Sequence, residues 1–129
     1  MPNRQQALIA MPDPKGRKSV EDVLAAKGLD PLFASNLLEI RAILSRQRVA
    51  VVFCQSQLED GGFSELLDDT AREGFRTPVV VCSPQTDSAL YIDAMSRGAF
   101  DFIAYPYSRH EVEWVLECAL PRAAAAGAA

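Results

Sequence analysis

No apolar run in this sequence approaches the roughly 20 residues that a membrane-spanning helix needs. The short apolar run near the start ends at Pro12, too early for the core of a secretory signal, so none is expected. Cysteine is scarce: Cys54, Cys82 and Cys118 are odd in number, lack C-x-x-C spacing and have no histidine close by. That favours reduced thiols in a cytoplasmic setting over a disulfide framework or a zinc site. The single histidine, His110, has no nucleophile or orienting carboxylate arguable beside it, which leaves it no catalytic role. A phosphate-cradling loop is missing too, because Lys15-Gly16-Arg17-Lys18-Ser19 lacks the first glycine of the P-loop pattern. Excess positive charge is absent, and the formal net charge of −4 makes direct nucleic-acid binding unexpected.

What is present suits one globular domain. The chain has 129 residues, 49% of them hydrophobic and 23% charged, enough for a single core without staples. Ala7–Met11 is a short apolar run stopped by Pro12 and reads as a buried strand. Ser19 with Asp22 reads as the cap of a first helix carrying Val20, Val23, Leu24 and Lys27, stopped by Gly28. Pro31–Ala34 is a weak second strand. Asn36 and Glu39 cap a helix with Leu37, Leu38, Ile40, Ile43 and Leu44 on its apolar side. Val49–Cys54 and Val79–Cys82 are apolar at every position, the mark of parallel strands covered on both faces. Between them Phe63, Leu66, Leu67 and Ala71 form a helical stripe closed by Gly74. Leu90, Ile92, Ala94 and Met95 belong to a fourth helix, Phe100–Ala104 to a fifth strand, and Ser108 with Glu111 forms a capping box for a last helix ended by Pro121. Such alternation predicts an α/β fold: an open parallel sheet of five strands between two layers of five helices. The domain is read as 1–121, with 122–129 a low-complexity alanine-rich tail that frays.

Particular residues suggest a family. Ser96-Arg97-Gly98-Ala99-Phe100-Asp101-Phe102-Ile103 followed by Pro106 resembles the helix–glycine–strand–proline passage of response-regulator receiver domains, closest to those of nitrogen-regulator-class transcriptional activators. Val51-Val52-Phe53 with the loop Gln55–Gly62 is similar to the strand and loop that carry the phospho-acceptor. Thr77–Ser83 resembles the fourth strand, and Leu8-Ile9 with Asp13-Pro14 more loosely the first. The resemblance implies a flavodoxin-like three-layer sandwich with strand order 2-1-3-4-5 and a cis peptide before Pro106. It also implies a magnesium ion held by an acidic pair and an acceptor aspartate, with a hydroxyl and a lysine steadying the phosphoryl group.

On that alignment the chemical positions carry the wrong groups. Met11 and Pro12 fall at the acidic pair, Gln55 at the acceptor and Tyr105 at the lysine, while Ser83 alone matches, at the hydroxyl. An amide cannot form an acyl phosphate. The expectation is a degenerate, non-enzymatic pseudo-receiver without a cofactor or metal, acting by protein–protein contact or self-association, not on nucleic acid or membrane. The resemblance places the contact on the fourth helix, fifth strand and fifth helix, where Tyr91, Met95, Phe102, Tyr105, Tyr107 and Trp114 lie. Alternatives stay open. Glu59, Asp60 or Asp13 would serve as an unusual acceptor, although Glu59 and Asp60 also read as solvated turn residues. Lys15, Lys18 and Ser19, in a loop at a helix N-terminus, would suit a small anionic ligand or simply be a solvated basic loop. Cys54 and Cys82 would be a redox pair or two buried thiols.

Overall fold

A computed structural model describes residues 5–120. The strands are β1 (Gln6–Ala10), β2 (Asp30–Phe33), β3 (Val51–Gln55), β4 (Gln57–Leu58), β5 (Gly61–Gly62), β6 (Val79–Ser83) and β7 (Asp101–Ala104). The helices are α1 (Pro14–Ala26), α2 (Leu37–Arg46), α3 (Phe63–Glu73), α4 (Ser88–Ser96) and α5 (Arg109–Ala119). Five strands form one parallel sheet in the order β2-β1-β3-β6-β7, the expected 2-1-3-4-5 once the short antiparallel hairpin β4–β5 is set aside. That hairpin lies in the loop after β3, where the sequence pattern carries no strand signal. The alanine-rich tail lies outside the described residues.

The period of two along each strand builds two cores. Leu8, Val52, Cys54, Val79 and Val81 face α2, α3 and α4, where they meet Leu37, Ile40, Leu66 and Ala94. Ile9, Val51, Phe53, Val80 and Cys82 face α1 and α5, against Val20, Val23, Leu24, Val112 and Leu116. Edge strand β2 alternates half-buried and exposed, which is why its sequence signal is weak. Ion pairs link the helices at the surface: Lys27 to Glu117 at 2.9 Å between α1 and α5, and Arg41 to Asp69 at 2.5 Å between α2 and α3.

Several local readings are corrected. Helix α1 starts six residues earlier than expected: Asp13 is its cap, accepting from the Lys15 amide at 3.0 Å, and Pro14 takes the first helical position. Ser19 is therefore interior to the helix. Ala71 is exposed, and Asp69 and Thr70 take the buried side of α3. Ile92 is 65% exposed. The Asn36 cap forms as read, accepting from the Glu39 amide at 2.9 Å. Of the box on α5 only the Ser108 half forms. No described helix is long and apolar enough to cross a membrane.

Cys54 and Cys82 sit on adjacent strands but on opposite faces of the sheet, one in each core. They cannot meet without unpairing β3 from β6, so the redox-pair reading falls. Burial pushes the Cys54 thiol up to about 12 and raises Cys82 well above its ordinary value. Cys118 is exposed. A thiol reagent should therefore titrate one cysteine in the native protein and three after denaturation, counted by absorbance. Rapid labelling of a second native thiol would contradict the two sealed cores.

Candidate functional site

The C-terminal ends of parallel strands open onto a common edge, where the main chain turns into helices and leaves a crevice. Here β1, β3, β6 and β7 deliver Met11, Gln55, Ser83 and Tyr105 to that edge. A cavity of about 240 Å³ lies there, lined by Met11, Asp13, Lys15, Gln55, Tyr105 and Tyr107 among others.

Several polar groups at this edge are held by neighbours. The Asp13 amide donates to Gln55 Oε1 at 3.2 Å, and Gln55 Nε2 donates to the Gln57 carbonyl at 3.1 Å. Gln55 thus ties the end of β1 to the hairpin. Ser83 is fully buried; its hydroxyl donates to the Gln85 carbonyl at 2.6 Å and accepts from the Gln85 amide at 3.3 Å. Lys15 Nζ stands 4.9 Å from the centroid of the Tyr105 ring, a cation–π contact. The Tyr105–Pro106 peptide is cis, as the resemblance implied.

Tyr107, expected on the interaction face, is instead 7% exposed and packs into the α1–α5 core. Its hydroxyl donates to the Ser83 carbonyl at 2.8 Å, its ring meets Tyr105 edge-on at 5.7 Å, and burial raises its hydroxyl well above the ordinary range. The ring lies against Gly16: a Cβ there would come within 2.2 Å of Tyr107 Cε2. The glycine inside the basic stretch makes room for an aromatic ring, a reading the sequence offered no partner for.

The remaining candidates separate. Of Lys15, Lys18 and Ser19, only Lys15 lines the cavity; Lys18 pairs with Asp22 at 3.5 Å, with its side chain 82% exposed. Asp60 accepts from the amides of Leu37 at 2.7 Å and Leu38 at 3.1 Å, and Glu59 accepts from Asn36 Nδ2 at 3.2 Å. These two carboxylates fasten the hairpin to the N-terminus of α2, away from the cavity; they are not free turn residues. The two amides, Leu37 first, hold the Asp60 carboxyl below its usual range. Asp13 is thus the one carboxylate lining the cavity among the described residues, and it caps α1. A hard dication wants several oxygen ligands. With one capping carboxylate, and the Gln55 oxygen already accepting from a backbone amide, this donor set does not fit magnesium.

A second surface is built by α4, β7 and α5. Tyr91 and Phe102 meet edge-to-face at 5.7 Å, and Tyr91 is 47% exposed, Ile92 65% and Trp114 66%. Met95 is half-buried against the core. The aromatic face is therefore Tyr91, Ile92, Phe102 and Trp114, whereas Tyr105 and Tyr107 belong to the cavity.

Comparison with known proteins agrees with this geometry. The chain is 31% identical over 104 residues to the response regulator protein PilR of Pseudomonas aeruginosa, a match covering 81% of this chain and 23% of that protein. Its fold matches NtrX from Brucella abortus with a TM-score of 0.82 at 23% identity, over 98% of this chain and 29% of that one. It matches the beryllofluoride-activated NtrC4 receiver domain, solved as a dimer, with a TM-score of 0.82 at 18% identity, over 89% of this chain and 95% of that one. No family model matches. The fold is that of response-regulator receiver domains, and most of the chain is similar to one part of a response regulator, of whose length it spans less than a quarter.

Two outcomes follow for the site. Gly16→Ala should cost about 1–3 kcal/mol through overpacking against Tyr107, measured by urea unfolding; an unchanged midpoint would mean that the ring moves freely. Asp60→Ala should lower the melting temperature at neutral pH. Because the folded carboxyl lies below its unfolded value, the stabilisation is full above the unfolded pKa and vanishes as pH falls through the folded one. The gap between parent and variant should close on the acid side, and a gap that persists there would show that the carboxylate is not its source.

Proposed function

We propose that this receiver domain serves two-component-type signalling or transcription control in the bacterial cytoplasm without accepting a phosphoryl group. It works by protein contact through the α4–β7–α5 face, and does not itself bind nucleic acid. The observation that carries the reading is Gln55. At the end of the central strand, where acyl-phosphate chemistry needs a carboxylate, stands an amide bonded on both sides to backbone. The neighbourhood supports it. Tyr105 supplies no cation, Ser83 is closed on its own turn, and the candidate acceptors Asp13, Glu59 and Asp60 are helix caps or their supports. The exposed aromatics on α4 and α5 offer an interface core. The NtrC4 receiver was solved as a dimer, so association is a mode open to this fold.

A small anionic ligand in the strand-end cavity is the second reading. Lys15 favours it; Asp13 in the same cavity opposes it.

Incubation with acetyl phosphate and magnesium should leave the intact mass unchanged, and magnesium alone should not raise the melting temperature, since linked stabilisation requires binding to the native state. A phosphoryl adduct on Asp13, Glu59 or Asp60 would sink the reading. A saturable thermal shift with phosphorylated metabolites would move it to the ligand sensor.

A further inference from the structure

Charge decides what can cover the α4–β7–α5 face. Glu111, in the first turn of α5, lines a groove of about 510 Å³ with Tyr91, Ile92, Phe102 and Ala104. Trp114 follows three residues later on the same side of that helix. Asp101 opens β7 immediately before Phe102 and bonds only the Phe102 amide, at 2.7 Å. Partial burial, and then the field of Asp101, raise the Glu111 carboxyl above its ordinary value. Neither acid has an ion-pair partner among the described residues.

Two arginines beside this face are engaged elsewhere. Arg97 holds Asp93 at 2.9 Å and reaches Asp68 on α3 at 3.3 Å. Arg109 pairs with Glu113 at 3.3 Å, on the stripe of α5 whose Glu117 grips Lys27 of α1. The groove itself is thus aromatic, apolar and acidic, and no lysine or arginine lines it.

A second copy related by a two-fold axis would set this patch against itself. Such a pairing would gather Asp101 and Glu111 of both copies on one buried patch, while Arg97 and Arg109 beside it are already held by their own acids, and like charges brought together select against it. We infer that the face binds a different protein, through an amphipathic segment that carries lysine or arginine beside apolar side chains. This rests on the contact reading above and names the chemistry of the partner. Tyr91, Phe102 and Trp114 supply the apolar contact, Asp101 and Glu111 the pairing charges.

The test titrates the full chain with a synthetic helix-forming peptide of leucine and lysine, and with its leucine–glutamate counterpart. Readouts are Trp114 emission and backbone amide shifts, with sedimentation of the chain alone beside them. The lysine peptide should give a saturable change centred on Tyr91, Ile92, Phe102 and Glu111, weaken with added salt and leave the glutamate peptide inert. Asp101→Asn with Glu111→Gln should weaken it about fivefold at an unchanged melting temperature. Glu111→Gln alone is the second variant if the pair unfolds, and Tyr91→Ala should weaken it as well. A dimer of the chain formed through this face would overturn the inference and leave the contact reading standing. Peptide shifts spread over all acidic surfaces and blind to the Asp101 and Glu111 variants would also overturn it. A face silent to both peptides and to a second copy would remove the contact reading as well.

Discussion

Strand β3 has no access to water along Val51, Val52, Phe53 and Cys54, all fully buried, and the rest of the molecule is arranged to keep it so. A strand sealed on both faces needs a neighbour on each side, supplied by β1 and β6, and a helical layer above and below, supplied by α1 with α5 and by α2 with α3 and α4. Parallel neighbours require crossovers, so every connection within the five-stranded sheet carries a helix and its strands all point the same way. The site follows from that constraint: all strands end on one edge, and the residue closing β3, Gln55, sits at its centre.

The acidic side chains around this edge have become structural. Asp13 starts α1, Asp60 starts α2 from across the hairpin, and Glu59 braces Asn36. Asp13 and Asp60 meet backbone amides at a helix N-terminus, where the helix dipole adds to the hydrogen bond, and Glu59 takes the side-chain amide of the Asn36 cap. Aromatic rings occupy the same edge: Tyr107 against Gly16, and Tyr105 beneath Lys15. What surrounds Gln55 is a closed set of backbone and aromatic contacts instead of an ion-binding cluster.

Much of this was legible in the chain. Val49–Cys54 and Val79–Cys82 announce buried parallel strands, and the helix stripes lie within a few residues of their true bounds. The failures have physical causes. Ser19 followed by Asp22 imitates a cap, but Pro14 is compatible with the first helical position and Asp13 reaches the Lys15 amide, so α1 begins earlier. Glu59 and Asp60 read as solvated turn residues, yet they sit in a hairpin between β4 and β5 and are anchored across space on α2. Tyr107 looked like a surface aromatic because nothing local reveals the gap left by Gly16, 91 positions away along the chain. Local patterns are readable; contacts between distant segments are not.

The placement of the three thiols has a practical consequence. With Cys54 and Cys82 sealed and Cys118 open on α5, one turn beyond the sole tryptophan, the native chain carries its own attachment point for a dye. A maleimide fluorophore at Cys118 would sit beside Trp114 without any engineered cysteine. Energy transfer from the indole to that dye would then follow rearrangement or coverage of the exposed side of α5 directly.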